Sequence, residues 1–388
     1  MKLKFWILFF GLICNYGYSQ TSNPYSIVDS KMSKIPDSSS NSIKSISEFI
    51  TSNFTTENDK IRAVFYFTAS NISYDVEKLK KVNQNQNINE TATERIQYSL
   101  VYKKGVCANY ADVFSAIANE LNIKTYLITG YTKQFGEIVN LSHAWCASKI
   151  DNKWYIFDPT WGSGYVNNMI YTRKIDDSYF KTNPNISITN HMPFDYLWQF
   201  LNYPVTNDEF YNNKFKVNKT KIYFDFESEI LKHENSSAEQ KNLKSAVRIE
   251  KNGLKNKMII DYLLEKKAII TFDDLNKISN YYNTAIQEFN NYVTFRNKQF
   301  KPNIPDQKLK NLIQIPRDKF IDCQERLAKI VNVDAQNIQN LKGLKQSLIQ
   351  ILPQVEDQLA FVNEYLSKSN FKRKEMFTKI TLFGLKLN

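Results

Sequence analysis

Hydrophobic positions along the chain switch period several times, and each switch marks an element. A helix is expected over about 43–50 and another over about 58–70, where Ile61, Val64, Phe65 and Thr68 share one face. Residues 81–91 (KVNQNQNINET) are polar throughout and read as a loop. Gly105-Val106-Cys107 turns into a helix of about 107–121, with Val113, Phe114, Ile117, Ala118 and Leu121 as its buried stripe. The period then falls to two. Residues 123–130 read as a strand ending at Gly130, 131–140 as a loop, and 141–150 and 153–158 as two more strands. Asp151-Asn152 is a two-residue hairpin turn, which pairs residues whose numbers sum to about 303.

From about residue 233 the pattern is helical. Thr271 and Asp274 read as a capping box opening a long helix with the stripe Leu275, Ile278, Tyr282, Ile286, Phe289 and Val293. A Pro-containing connector (301–316) leads to a helix of about 317–331. A third helical region, about 335–368, repeats apolar residues at three-four spacing from Ile338 to Leu366, and Pro353 should kink or split it. Such stripes predict a helical bundle or hairpin.

The first twenty residues, MKLKFWILFFGLICNYGYSQ, have a basic start, a short apolar core and a small-polar end. This is the layout of a secretory signal peptide over 1–19, with an extended Ser/Asn/Lys-rich leader over 20–42. Removing Lys2 and Lys4 with it lowers the formal net charge from +12 to +10. The lysines are dispersed among asparagines and form no basic-aromatic stripe, so nucleic acid is not an expected partner. No apolar run in the mature chain suffices to span a bilayer. Four cysteines in 388 residues exclude a disulfide scaffold, and the three histidines fall in no zinc-ligand spacing, so neither metal nor cofactor is expected.

Tryptophan and glycine concentrate between 105 and 165, marking costly buried surface and tight backbone together. Cys107 opens its helix, where free amides and the dipole favour a thiolate. His143 lies in the second strand. The hairpin sum places it roughly opposite residue 160, with Asp158 one diagonal step away on the same face. These are the parts of a nucleophile, a base and a carboxylate that orients the base. Cys146 falls on the other sheet face and reads as core, as does Cys323 on its helix. His191 reads as packing within the 180–210 segment and His233 as solvated. Trp145 shares the His143 face and is a candidate for the substrate groove, whereas Trp154 and Trp161 read as framework.

GVCANYADVFSAIANELNI, LITGY and SHAWCASKIDNKWYIFDPTWGSG together resemble the transglutaminase-like superfamily, over about 58–165. FKTNPNISITNHMPFDYLWQFLNYPVTNDEF resembles the extension of its kyphoscoliosis-peptidase-type branch. The resemblance implies an α+β, papain-like core over 43–215, followed by a mainly helical region over 216–388. It also implies Cys107 as nucleophile, His143 as base and Asp158 as orienting carboxylate. The Cys107 amide is one oxyanion donor, and Asn71 or Tyr74 is a candidate for the second. The expected protein is a secreted or cell-envelope cysteine hydrolase or acyl transferase acting on peptide or amide bonds, with protease or amidase preferred over transamidation. The alternative is a non-catalytic surface module that binds peptide in the same pocket and recruits an envelope partner through its helical tail.

Overall fold

The computed structural model describes residues 23–84, 90–331, 333–335 and 337–377. The expected signal peptide, and 85–89 of the expected polar loop, lie outside them. The chain divides into two compact units that meet between His191 and Met192, so the boundary expected near 215 falls inside the second unit. Among the described residues no helix is long and apolar enough to cross a membrane.

The first unit begins with α1 (Ser26–Met32), α2 (Ile43–Asn53) and α3 (Glu57–Asn71). The leader is therefore not extended. Val28 and Met32, four residues apart, bury one face of α1 in the core, and Asp29 forks onto the buried Arg62 of α3 at 2.7 and 2.6 Å. Then come β1 (Ser73–Tyr74), α4 (Val76–Asn83), α5 (Ala92–Tyr102), β2 (Lys104–Gly105) and α6 (Cys107–Glu120). Helix α4 enters the stretch expected as loop and carries it to Asn83.

The sheet is built from β3 (Thr125–Gln134), β4 (Glu137–Ile150) and β5 (Lys153–Phe157), antiparallel in the order β5-β4-β3. Cys146 stands opposite Phe157 and Ala147 opposite Ile156, the register that the Asp151-Asn152 turn dictates. Both turn residues have positive φ (48° and 60°), as the tight hairpin requires. The loop expected at 131–140 is instead a second hairpin. Tyr131, Thr132 and Lys133 are buried and keep β3 extended, and the chain reverses at Phe135-Gly136 with φ of 53° and 85°. Gly136 tolerates that conformation at no steric cost. Beyond β5 come β6 (Gly164–Asn167), β7 (Ile170–Arg173) and α7 (Pro184–Ser187). The Lys133 N–H bonds the Asn190 carbonyl at 2.9 Å, which lays His191 along the far edge of β3, where the sheet takes up a short fourth strand.

The second unit is helical apart from its entry. Three long helices, Lys257–Asn297, Asp306–Lys329 and Ile338–Ser367, close a common core around Leu275, Ile278, Phe289, Phe320, Leu348 and Val355. Thr271 and Asp274 do not cap the first of these. It starts earlier, with the Asn256 side chain accepting from the Ile259 N–H at 2.9 Å, because the run from Lys257 to Ile270 continues the helical period. Pro305, not the end of the expected connector, precedes the second, and Pro316 lies buried inside it. Pro353 does not split the third, because Leu348 and Val355 are buried on either side of it and packing holds the helix through the missing hydrogen bond.

Candidate active site

Parallel pairing of β1 with β2 sets Tyr74 beside Gly105, and the chain turns there into α6. Buried Asn109 fixes this corner. Its Oδ1 accepts the Val106 N–H at 3.1 Å, and its Nδ2 donates to the Arg95 carbonyl and Ser99 Oγ, both at 3.0 Å. A Cβ on Gly105 would stand 2.4 Å from the Asn109 Cβ, so only glycine lets the two approach this closely. Cys107 is thereby presented, half-buried, as the first residue of α6.

The structure brings Cys107, His143 and Asp158 together. The Cys107 thiol lies beside the His143 imidazole, near enough for each to shift the proton affinity of the other. His143 Nε2 lies 2.7 Å from Asp158 Oδ2, which leaves Nδ1 for the sulfur. Asp158 directly follows β5, and its Oδ1 accepts the Thr160 and Trp161 N–H groups at 2.9 and 3.0 Å. This is the Asx turn that an Asp followed by Pro-Thr-Trp favours.

Electrostatics follow from burial and proximity. Burial alone would lower the His143 proton affinity. The Asp158 carboxylate and the Cys107 hydrogen bond outweigh it and raise His143 to about 10. Burial would raise Cys107, but the His143 hydrogen bond and charge, with the Ala144 amide, hold the thiol below its ordinary range. Each group thus favours the charged form of the other. Burial opposes ionisation of Asp158 too, yet the His143 charge and hydrogen bond and the contact from His191 keep it well below the carboxylate range. Cys146 is different. It is fully buried on the other face of β4, donates to the Ala111 carbonyl of α6 at 3.3 Å, and is raised by burial. Cys323, buried in the helical unit, is raised to about 11 by burial.

Three residues sit differently from expectation. Trp145 is 1% exposed and so lines no open groove; its ring stacks on His143 at 6.0 Å. Trp161, expected as framework, is only half-buried and lies 5.3 Å from the His143 ring. His191 is not remote packing. It is buried with Nε2 3.0 Å from Asp158 Oδ2, the oxygen that also holds His143. Nothing in its spacing announces this; the one sequence signal is its place in the segment with the branch resemblance. His233, expected in solvent, is half-buried with its ring edge-on to Trp198 at 5.1 Å.

Of the two side chains considered for an oxyanion, Asn71 turns its amide back on its own helix, onto the Phe67 carbonyl at 3.1 Å and Ser70 Oγ at 3.2 Å. Tyr74 lies at the site. Burial, then the charges of Cys107 and Asp158, raise its phenol far above the ordinary range, so it stays a neutral O–H donor. His143, Asp158 and His191 offer ligand atoms mutually within 4.8 Å, a donor set of a kind that can hold a divalent cation. Their N···O distances of 2.7 and 3.0 Å are those of hydrogen bonds onto one carboxylate oxygen.

Comparison with known proteins agrees with this architecture. The family model of the transglutaminase-like superfamily matches residues 44–159. Kyphoscoliosis peptidase of Homo sapiens is 28% identical over 176 residues, covering 43% of this chain and 25% of that protein. That of Mus musculus is 29% identical over 173 residues, covering 42% and 25%. The matching part thus spans about a quarter of the length of these curated relatives. A solved structure described as "Crystal structure of a TGase" aligns with 43% of this chain and 40% of its own, at 22% identity and a TM-score of 0.27. The helix-borne Cys107, the paired strands with His143 and Asp158, and the match over 44–159 make the first unit a transglutaminase-like domain of the transglutaminase-like superfamily.

Proposed function

We propose that the protein is a cysteine hydrolase or acyl transferase acting on peptide or amide bonds through Cys107, His143 and Asp158. One observation carries this reading: the Cys107 thiol meets an imidazole whose other nitrogen is held by a buried, ionised carboxylate. The thiolate adds to the amide carbonyl carbon, and a C–S bond forms. The oxyanion is received by the Cys107 amide, with the Tyr74 hydroxyl as second donor. The C–N bond then breaks as the His143 imidazolium protonates the departing amine, leaving a thioester. Neutral His143 next takes a proton from water, hydroxide oxygen adds to the thioester, and C–S cleavage returns the thiolate and releases the acid.

Hydrolysis is favoured over transamidation because water needs no second amine pocket, and the named relatives are peptidases. The layout of residues 1–19 supports export, and so a substrate outside the cytoplasm or in the envelope.

Thiol chemistry tests the reading without a known substrate. Iodoacetamide at neutral pH is expected to label Cys107 well before Cys146 and Cys323, and His143→Ala to slow that labelling. Indifference of Cys107 labelling to His143 would sink the catalytic reading and favour a pocket that only binds peptide. Casein supplied with a labelled primary amine then separates the two reactions. New amino termini without amine incorporation mean hydrolysis, and incorporation means transamidation.

A further inference from the structure

We propose that His191 is a positioning residue of this site: a second imidazole donor on the Asp158 oxygen that orients His143. The inference rests on the Cys107–His143–Asp158 reading above and adds a group to it.

Asp158 accepts four hydrogen bonds. Oδ1 takes two backbone amides at 2.9 and 3.0 Å, and Oδ2 takes His143 Nε2 at 2.7 Å and His191 Nε2 at 3.0 Å. A carboxylate has about four acceptor positions, so this one is filled, and its plane cannot turn without breaking a contact. A carboxylate only accepts, so His191 must carry its proton on Nε2. Its Nδ1 faces Asn190 Oδ1 at 2.6 Å, and a half-turn of that amide, whose oxygen and nitrogen are interchangeable in shape, sets the NH2 there as a donor to Nδ1 and holds this tautomer. Both ring nitrogens are therefore committed, an arrangement that an apolar filler of the same volume could not supply.

The ring is also clamped. Trp161, Trp145 and Tyr179 surround it at centroid distances of 4.7, 5.0 and 6.4 Å. Burial and the nearby His143 charge keep this second imidazole neutral, while His143 carries the proton. A neutral donor on Oδ2 takes part of the carboxylate's charge. That lowers its basicity, so the shared proton stays on His143 Nε2, and it fixes the direction from which His143 is pulled. His143 Nδ1 then points at the sulfur rather than swinging with a loose carboxylate. A cavity of about 160 Å³ lined by Asp158, His191, Tyr179, Ser178, Ser187 and Asn190 adjoins the ring.

This chain has three histidines, so ¹⁵N-histidine labelling gives a spectrum simple enough to assign. The Nε2–H protons of both His143 and His191 should resonate at low field in the wild type; absence of the His191 signal would overturn the proposal without any variant. In His191→Leu the His143 proton should move further downfield, because one imidazole then bears the whole carboxylate charge, and Cys107 labelling should slow by about tenfold. His191→Gln, which keeps an N–H donor at similar reach, should label within about twofold of the wild type. Wild-type rate and an unmoved His143 resonance in folded His191→Leu would reduce His191 to packing. Should that variant not fold, His191→Gly provides a further arm: added imidazole should enter the vacated space and restore Cys107 labelling, and no recovery would overturn the proposal. If wild-type Cys107 itself proves no more reactive than Cys146, the parent reading fails instead, so the two failures are distinguishable.

Discussion

Asp158 shows how much one side chain can be asked to do. Its sequence role is to orient an imidazole, which suggests that Asp158→Asn would leave stability untouched. The four donors around it say otherwise. An asparagine can keep the two backbone amides on its oxygen, but its NH2 then faces two imidazole N–H groups. Asp158→Asn is expected to slow Cys107 labelling and also to cost about 1–3 kcal/mol of stability, read as a lower melting temperature. An unchanged melting temperature would mean that the imidazoles switch tautomer freely. Titration gives a second prediction at this scale. His143 is raised from its ordinary 6.5 to about 10, so its stabilisation is complete below 6.5 and is lost as pH rises to about 10. Cys107 is lowered from 9.0, so its stabilisation is complete above 9.0 and is lost as pH falls through the lowered value. Where the two windows overlap the slopes cancel, and above 9.0 only the His143 loss remains. Melting temperature should therefore hold in the wild type from the lowered Cys107 value up to 9 and fall toward 10, whereas Cys107→Ser should begin to fall from about 6.5. Identical profiles would show that the thiol is not ionised beside His143.

At the scale of elements, the 151–152 hairpin and α6 were legible, and the second hairpin and the leader helix were not. Asp151-Asn152 with alternating flanks is a local signal, and the register it dictates is the observed one. The second hairpin was missed because Phe135-Gly136 is a weaker turn pair and its flanks do not alternate cleanly. Helix α1 was missed because its two buried apolar residues, Val28 and Met32, mean little until α3 stands opposite them. The Asp29–Arg62 contact makes that dependence measurable. Arg62 has a side chain only 1% exposed, so Asp29→Ala leaves a buried guanidinium with Asp177 alone. The expected cost is about 3–5 kcal/mol, visible in chemical denaturation. A loss under about 1 kcal/mol would return α1 to the status of a dispensable leader.

For the whole molecule, each unit has its own core, and this predicts separable folding. The helices from Lys257 to Ser367 bury Leu275, Phe289, Phe320 and Val355 among themselves, so residues 192–388 expressed alone should be helical by circular dichroism and unfold cooperatively. A fragment without a cooperative transition would show that this core needs the first unit. The sequence alone determined most of the helix and strand periods, the 151–152 register, and hence the nearness of His143 and Asp158, because each is set by spacing along a few neighbouring residues, while Cys107 was joined to them by the family resemblance. Tertiary structure alone decided the rest. It brought His191 to the Asp158 oxygen from 33 residues away, buried Trp145 where a groove residue was expected, and folded the leader against Arg62. Those are contacts between segments far apart in the chain, where local periodicity carries no information and only the closing of the core selects which side chains meet.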